Sequence, residues 1–365
     1  MEMELVVKGG RDEETLEKYM KGVRHLCDSG LTRVPAKYIL PATERPYAQG
    51  PPSNPSDLKI KLPVVDLADI HTPNRAHVLA SLAEACQEHG FFQVVNHGIP
   101  AEVIEKMIDV SRRFFELPFE ERSTYMSADI VAPVRYGTSF NQNRDGVFCW
   151  RDFLKLSCHP LSRTLPLWPT SPADLRERAV SYSKHIKGLF MELMEAVLET
   201  LEVDTGPVME EFGEGIQMMV VNFYPACPEP DLTLGMPPHS DFGFLTLLLQ
   251  DGVSGLQIEQ KGEWVTADLA AGALVVNVGD HLEIFSNGRY KSLLHRVTVN
   301  TAQPRMSVAC LLGLAADGVV RPSPQLVDDD NPRRYMDTDF ATFLQYVSSR
   351  ETKGKNFLES RMLRS

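Results

Sequence analysis

Short apolar runs between residues 218 and 312 place the strongest constraint on how this chain can fold. Each run has the length and the residue types of a β-strand, and Lys261-Gly262 between two of them is typical of a hairpin turn. Many short strands separated by turns predict a sandwich or a barrel, and we expect a jelly roll, that is, a double-stranded β-helix. The predicted strands are 218–223, 244–249, 255–260, 263–267, 273–278, 293–299 and 305–312.

Helical patterns flank this β region, so we expect a mainly β protein with flanking helices. Apolar residues recur at helical spacing over 78–86, 103–115 and 186–201, and a last helix is predicted over 337–350. The patterns divide the chain into five predicted parts. These are a helical and extended arm at 1–60, an N-terminal region at 61–175, a long helix and its connection that support the core at 176–214, the jelly-roll core at 215–320, and a C-terminal helix and tail at 321–365.

Charge and hydropathy disfavour several classes of function. The chain has 37 Lys and Arg against 49 Asp and Glu, a formal net charge of −12, whereas binding to nucleic acids or anionic membranes needs a basic surface. No run approaches the roughly 18 apolar residues of a membrane helix, and the first residues lack the apolar block of a signal peptide. We expect a monomer in the cytosol, with the nucleus as an alternative location, and no membrane or nucleic-acid partner.

Three residues of the β region have the chemistry of a metal site. His239 and Asp241 lie two positions apart, so in an extended segment their side chains point to the same side. His295 shares a strand face with Leu293 and Val297, which points it into the predicted barrel. Two imidazoles and one carboxylate form the facial triad of non-haem Fe(II) oxygenases. A hydrogen-bonded core histidine and a turn aspartate are the structural alternative.

A second group of polar residues is predicted to face the same interior. Arg305 and Ser307 are again two positions apart, one strand after His295. A buried guanidinium needs a partner, and a bound carboxylate would supply a contact worth roughly 1.5–3 kcal/mol; an internal Asp or Glu is the alternative. Asn222 and Tyr224 form a third pair on one face at the end of a predicted strand, from which they could donate hydrogen bonds into the cavity.

At these residues the sequence resembles the plant 2-oxoglutarate- and Fe(II)-dependent dioxygenases, over residues 60 to 345. The likeness is best to the branch of flavanone hydroxylase, flavonol synthase and salicylate hydroxylase, and the joint order and spacing of its motifs are highly specific. The motifs are Leu62-Pro63-Val64-Val65-Asp66, Gly90-Phe91-Phe92-Gln93-Val94-Val95-Asn96-His97-Gly98, Asn222-Phe223-Tyr224-Pro225-Ala226-Cys227-Pro228, Pro238-His239-Ser240-Asp241, Asn277-Val278-Gly279-Asp280, Phe285-Ser286-Asn287-Gly288-Arg289-Tyr290-Lys291-Ser292-Leu293-Leu294-His295-Arg296 and Arg305-Met306-Ser307.

The resemblance implies binding residues for iron and for 2-oxoglutarate. His239, Asp241 and His295 would hold Fe(II) in the jelly-roll core at 215–320, and 61–175 would be the family's N-terminal dioxygenase region. The residues implied for the distal carboxylate of 2-oxoglutarate are Arg305 and Ser307, assisted by Tyr224 and Asn222.

The activity that the resemblance implies is oxidation of a small plant metabolite, such as a flavonoid, a phenolic or a hormone. 2-Oxoglutarate and O2 would be co-substrates and ascorbate the reductant, with release of succinate and CO2. Hydroxylation is expected, and desaturation or demethylation stays open. The family alignment places Tyr136, Val220 and Leu311 against the substrate. Leu311 stands where flavonoid-oxidising members have a phenylalanine, which weakens a simple flavonoid assignment.

Three other interpretations stay open at this stage. An iron oxidase of the aminocyclopropane carboxylate oxidase type would keep the fold and the metal but would not use 2-oxoglutarate. A non-catalytic jelly roll could bind a small molecule in the same place. A zinc hydrolase could use two histidines and an aspartate, but it needs a general base near the metal-bound water, and the sequence has no His-Glu-x-x-His helix.

Overall fold

Two β-sheets form the centre of the protein, described in a computed structural model over residues 21–46, 59–139, 145–349 and 356–363. The strands are β1 (Lys59–Lys61), β2 (Val64–Asp66), β3 (Phe91–Val95), β4 (Val134–Thr138), β5 (Asp152–Ser157), β6 (Gln217–Tyr224), β7 (Met236–His239), β8 (Leu245–Gln250), β9 (Leu256–Gln260), β10 (Glu263–Asp268), β11 (Leu274–Val278), β12 (His295–Val297) and β13 (Arg305–Leu312). The smaller sheet has the order β1-β10-β9-β12-β7, and the larger has the order β2-β3-β11-β8-β13-β6-β5-β4.

Helices cover one face of the larger sheet, and all four predicted helical patterns form helices. The helices are α1 (Val23–Asp28), α2 (Arg75–Glu84), α3 (Ala101–Glu116), α4 (Phe119–Ser123), α5 (Leu161–Thr164), α6 (Leu175–Thr200), α7 (Gly206–Gly213), α8 (Asp280–Phe285), α9 (Phe340–Ser349) and α10 (Asn356–Arg361). Apolar residues of α2, α3 and α6 pack with those of the larger sheet in one core. None of the described helices has both the length and the apolar composition needed to cross a bilayer.

Alternation along β8 shows that both faces of the larger sheet are used. Leu245, Leu247 and Leu249 are buried in the core that includes the helices. Thr246 and Leu248 point the other way and line a cavity that residues of the smaller sheet also border. The larger sheet therefore has one face covered by helices and one face toward the cavity. A shift of one residue in the register of a strand would exchange the residues on the two faces.

Strand β7 is one that the sequence patterns do not predict. It contains Pro237 and Pro238, and proline normally argues against a strand because it cannot donate to the ladder. The structure places β7 at the edge of the smaller sheet, where it pairs with β12 alone. An edge strand tolerates the missing N–H groups, and this one ends at His239.

Asp152 attaches the N-terminal arm to the larger sheet. Its carboxylate accepts hydrogen bonds from the backbone N–H groups of Val23 at 2.8 Å and Arg24 at 2.9 Å. These donors lie at the first turn of α1, where backbone N–H groups lack partners within the helix. The arm residues 1–20 and 47–58 lie outside the described part of the chain.

Candidate active site

His239, Asp241 and His295 converge at one point of the cavity. His239 and His295 are paired directly across β7 and β12, with ring centroids 4.1 Å apart. Oδ1 of Asp241 lies 3.8 Å from Nε2 of His239 and 3.9 Å from Nε2 of His295. Since a bond from such a ligand to a metal is about 2 Å long, atoms at these separations can share one ion.

Hydrogen bonds orient the three side chains. Nδ1 of His239 lies 2.8 Å, and Nδ1 of His295 3.4 Å, from the backbone carbonyl oxygen two residues upstream. Because a carbonyl only accepts, each Nδ1 carries the proton and each Nε2 presents its lone pair. The amide of Asn277 donates to Oδ2 of Asp241 at 2.9 Å, which leaves Oδ1 for a metal. This donor set fits a divalent iron ion.

The protonation states also suit a metal. Burial, together with the neighbouring His295, lowers the pKa of His239 to about 3, so its imidazole is neutral at pH 7. Burial alone would raise the pKa of Asp241, but the two imidazoles and the Asn277 amide hold that pKa below its usual value. The site therefore offers an ionised carboxylate and a neutral imidazole, which are the forms that bind metal ions.

Arg305 is a buried cation that lines the same cavity. It is 2% exposed and donates from Nε to the carbonyl of Val253 at 3.2 Å and from Nη2 to Oε1 of Gln250. Its Nη1 lies 3.4 Å from Oγ of Ser307. Over the described ranges no Asp or Glu forms an ion pair with Arg305, so the internal partner considered from the sequence is not found there. A bound carboxylate would complete the group.

Tyr224 lies beside Arg305 as its partner across β6 and β13. The guanidinium carbon of Arg305 is 5.0 Å from the centre of the Tyr224 ring, a distance typical of a cation–π contact. Gly235 makes room for this ring, because a Cβ at that position would lie 2.5 Å from Cδ1 of Tyr224. The ring and the backbone around it thus fix one side of the guanidinium.

Asn222 also lies where the sequence predicts, but its carbonyl oxygen is occupied. It is the cross-strand partner of Ser307, and it lines the cavity. Its Oδ1 accepts a hydrogen bond from Nη1 of Arg151 at 2.9 Å, and its Nδ2 donates to the backbone of Val220 at 3.4 Å. Asn222 is therefore a link between the Ser307 side of the cavity and Arg151.

The cavity between the two sheets has a volume of about 340 Å³. Its walls are mostly apolar, and they include Val220 and Leu311, which the family alignment places against the substrate. The volume falls in the range of sites for small organic molecules. The geometry therefore combines a metal site, a guanidinium with no ion-pair partner among the described residues, and an apolar chamber.

Tyr136 does not line this cavity, and its predicted contact with the substrate is corrected. Its side chain lies on the opposite face of β4, where its hydroxyl accepts a hydrogen bond from Arg122 at 2.6 Å. Its ring lies 6.1 Å from that of Phe114 in the helix-covered core. Because both faces of β4 are buried, alternation alone could not tell which one meets the cavity, and Arg135 is the residue that does.

Comparison with known proteins decides the family. Residues 215–313 match the 2OG-Fe(II) oxygenase superfamily, and residues 62–171 match the family described as non-haem dioxygenase in morphine synthesis N-terminal. Flavanone 3-dioxygenase 2 of Oryza sativa subsp. japonica is 40% identical over 330 residues, which are 89% of this chain and 93% of that protein. This chain belongs to the 2-oxoglutarate- and Fe(II)-dependent oxygenases.

Other relatives of this oxygenase agree with that assignment. Protein DOWNY MILDEW RESISTANCE 6 of Arabidopsis thaliana is 36% identical over 343 residues, 93% of this chain and 96% of that protein. The crystal structure of JOX2 in complex with 2OG, Fe and JA is 32% identical, with a TM-score of 0.84 over 94% of this chain and 98% of that one. The predicted jelly-roll fold and the predicted use of Fe(II), 2-oxoglutarate and O2, with ascorbate as reductant, are confirmed.

Three basic residues of the oxygenase cavity were missed by sequence reasoning. Arg135, Arg151 and Lys155 line the wall formed by β4 and β5, around Phe153. Arg151, Phe153 and Lys155 are spaced by two, so the alternation of a strand places them on one face. That spacing is the signal in the sequence, but residues 151–155 lie outside the strands that the apolar runs predict.

Proposed function

We propose that this oxygenase hydroxylates a small, largely apolar metabolite and that His239, Asp241 and His295 are its Fe(II) ligands. The observation that carries the proposal is the convergence of two lone-pair nitrogens and one carboxylate oxygen, all within 4.8 Å of one another. Two histidines and one carboxylate leave further coordination positions free for a co-substrate and dioxygen. The apolar cavity beside them offers room for the molecule to be oxidised.

In this proposal Arg305 and Ser307 bind the distal carboxylate of 2-oxoglutarate. A guanidinium and a hydroxyl can donate several hydrogen bonds to one carboxylate, and Tyr224 holds the guanidinium from the side. Asn222 supports the same wall through its bond with Arg151. When bound, iron and 2-oxoglutarate supply the oxidising chemistry, with release of succinate and CO2. The chain itself orients the ligands and keeps water from the reacting carbon.

The substrate class is proposed from the cavity and from the relatives. The cavity is mostly apolar and holds about 340 Å³, which suits a flavonoid, a phenolic or a hormone of similar size. Relatives are named for flavanone and for auxin oxidation, and JOX2 was crystallised with JA. These share a small carbon skeleton with few polar groups, which an apolar cavity can hold close to the metal site.

Substitution of Asp241 tests the metal assignment. We expect Asp241→Ala to abolish Fe(II)-dependent succinate formation from 2-oxoglutarate, because two imidazoles alone hold the ion less firmly. Asp268→Ala removes an exposed carboxylate at the end of β10 and should leave succinate formation unchanged. Circular dichroism would check that both variants fold. Full activity of Asp241→Ala would refute the assignment.

A metabolite screen tests the reaction class. The enzyme is incubated with Fe(II), ascorbate, 2-oxoglutarate and a plant metabolite extract, and mass spectrometry then identifies compounds that gain one oxygen atom. Hydroxylation predicts such a gain together with succinate; loss of two hydrogen atoms instead would show desaturation. If the enzyme forms succinate from 2-oxoglutarate but oxidises no compound of the extract, the proposed substrate class is contradicted.

The proposal includes a monomeric enzyme in the cytosol that acts without nucleic acid. The net charge of −12 supports the absence of a nucleic-acid partner. Light scattering during size-exclusion chromatography measures the mass in solution, for which one chain of 40.9 kDa is expected. A mass of two chains, or nuclear enrichment of a fluorescent fusion, would contradict these parts of the proposal.

A further inference from the structure

One wall of the cavity carries a cluster of cations that the proposed iron and 2-oxoglutarate sites do not use. Arg135 and Lys155 are direct partners across β4 and β5. The guanidinium carbons of Arg135 and Arg151 lie 5.2 and 5.0 Å from the centre of the Phe153 ring. Two guanidinium groups thus lie over one aromatic ring, and Lys155 lies beside them on the inner face of the larger sheet. We call Arg135, Arg151 and Lys155 the basic wall.

The two arginines of the basic wall are buried, Lys155 is half-buried, and the wall lacks anionic partners over the described ranges. Arg135 is 5% and Arg151 3% exposed, and neither forms an ion pair with a described Asp or Glu. Arg135 donates to the carbonyl of Ser127 at 2.9 Å, and Lys155 to that of Ile130 at 2.6 Å. Nη2 of Arg135 and Nε of Arg151 have no hydrogen-bond partner among the described residues. Buried donors in this state cost free energy unless a ligand uses them.

Burial and the mutual repulsion of these groups both act on their pKa values. Burial, and then the charge of Arg135, lowers the pKa of Lys155 to about 8. Burial, and then the charge of Arg151, likewise lowers the pKa of Arg135. Among the described residues, Asp129 acts against both shifts and Asp145 against that of Arg135. The cluster would therefore gain from a nearby negative charge.

A charge balance of the whole cavity points the same way. At pH 7 its lining has four cationic side chains, the basic wall and Arg305, against the two carboxylates of Asp241 and Asp280. A ferrous ion and the dianion of 2-oxoglutarate cancel each other, so the loaded cavity keeps an excess of two positive charges. A neutral substrate would leave this excess uncompensated in a site of low dielectric constant.

We propose that the substrate is an organic acid, whose carboxylate is bound by Arg135 and Lys155 and whose apolar body lies toward Val220 and Leu311. Val220 is the neighbour of Lys155 across β5 and β6, so one molecule can reach both. This inference rests on the proposed function, since it assigns the substrate of the same cavity. It favours acids over the neutral flavanones for which a relative is named.

Matched pairs of an acid and its amide test the charge requirement. The full-length enzyme with Fe(II) and saturating 2-oxoglutarate is titrated under argon, which prevents turnover, with benzoate and benzamide, cinnamate and cinnamamide, and 1-naphthoate and 1-naphthamide. In at least one pair the acid should bind more than about tenfold more tightly, as expected for a charge-assisted contact. Equal binding, or no binding, in all three pairs overturns the proposal, and this comparison needs no variant.

Variants then locate the preference. Lys155→Met and Arg135→Leu should each reduce the preference for the acid at least severalfold, while Lys155→Arg should retain it. Lys187→Met is the matched control, because Lys187 is also a partly buried lysine that donates to a backbone carbonyl, that of Phe212, but it lies outside the cavity. The basic wall could instead only anchor the loop that carries Ser127 and Ile130. In that case the unfolding midpoints of Lys155→Met and Arg135→Leu will fall, while the folded variants keep the preference for the acid. This result contradicts the proposal.

Succinate release separates this proposal from the proposed function. It is measured in air with 2-oxoglutarate alone, for the wild type and for the variants of the basic wall. A wild-type enzyme that releases no succinate refutes the proposed function, whereas the acid preference under argon is measured without catalysis. Succinate release with no acid preference refutes only the organic-acid proposal.

Discussion

The side chain of Arg305 makes hydrogen bonds only to neutral acceptors among the described residues, although its guanidinium is almost fully buried. We expect Arg305→Leu to raise the KM for 2-oxoglutarate about tenfold to a hundredfold, which corresponds to the loss of roughly 1.5–3 kcal/mol of charge-assisted contact. The KM for the organic substrate should change little. Succinate formation, measured as a function of each substrate's concentration, checks this.

The conservative variant separates loss of charge from loss of shape. Arg305→Lys keeps the positive charge but lacks the planar fork, so its KM for 2-oxoglutarate should lie between those of the wild type and Arg305→Leu. An equal rise in the KM for both substrates would contradict the placement of 2-oxoglutarate at Arg305.

Sequence spacing predicts where a site residue points if the two faces of its strand differ in chemistry. His239 with Asp241, and Arg305 with Ser307, are polar pairs at spacing two, so their orientation toward a common interior follows from strand geometry. Tyr136 could not be placed in this way. Both faces of its strand are buried, and a shift of one residue exchanges Tyr136 for Arg135. The cavity wall therefore depends on tertiary packing that local pattern does not encode.

Helix α9 closes part of the cavity from the C-terminal end of the chain. Phe340, Phe343 and Leu344 line the cavity, and the Phe343 ring stacks on Phe242 with centroids 4.7 Å apart and planes 27° apart. Phe242 directly follows Asp241, so the helix packs on the segment that carries a proposed iron ligand. This contact joins the part of the cavity wall that α9 forms to the segment that carries Asp241.

Removal of the Phe343 ring should weaken substrate binding more than 2-oxoglutarate binding. We expect Phe343→Ala to raise the KM for the oxidised metabolite by about tenfold, because a buried aromatic contact is worth roughly 1.5–3 kcal/mol. Gln345→Ala, an exposed change on the same helix, should have no effect. Steady-state assays on the metabolite found in the screen measure both. An unchanged KM in Phe343→Ala would show that α9 does not contact the substrate.

Whole elements differ in how well the sequence predicts them. The long apolar stripe of α6 and the run of β13 each have one clear period, and both form as predicted. Strand β7 carries two prolines and forms only because β12 offers it an edge, which is a tertiary condition. The iron site needs this strand, so its geometry depends on the element that local propensity disfavours most.

Charge is distributed unevenly over the whole molecule. The chain has a net charge of −12, yet at pH 7 the lining of its cavity has four cationic side chains and two carboxylates. The acidic surface favours solubility and disfavours nucleic acids, while the buried cations are the proposed binding groups for two organic acids, 2-oxoglutarate and the substrate. The net charge of the chain is therefore negative, like its surface, whereas the charge of its cavity lining is positive.

Burial of His281 links the stability of the whole fold to pH. This residue is 4% exposed, lies edge-on to the rings of Phe242 and Phe244, and its Nε2 has no hydrogen-bond partner among the described residues. Burial lowers its pKa from 6.5 to about 4, although Asp339 acts in the opposite direction. The unfolded chain therefore binds a proton at His281 that the folded chain does not, and stability falls as the pH drops from 6.5 toward 4.

Replacement of His281 by phenylalanine should remove part of this acid sensitivity. At about 1.4 kcal/mol per pKa unit, we expect the free energy of unfolding of His281→Phe to fall by roughly 2 kcal/mol less than that of the wild type between pH 7 and pH 5. Urea unfolding at both pH values measures this. His77→Phe is the control, because His77 is exposed on α2 and its replacement should leave the pH dependence unchanged. The same fall in His281→Phe as in the wild type would show that acid destabilises the fold through other groups, of which His239, with a pKa lowered to about 3, is the next to replace.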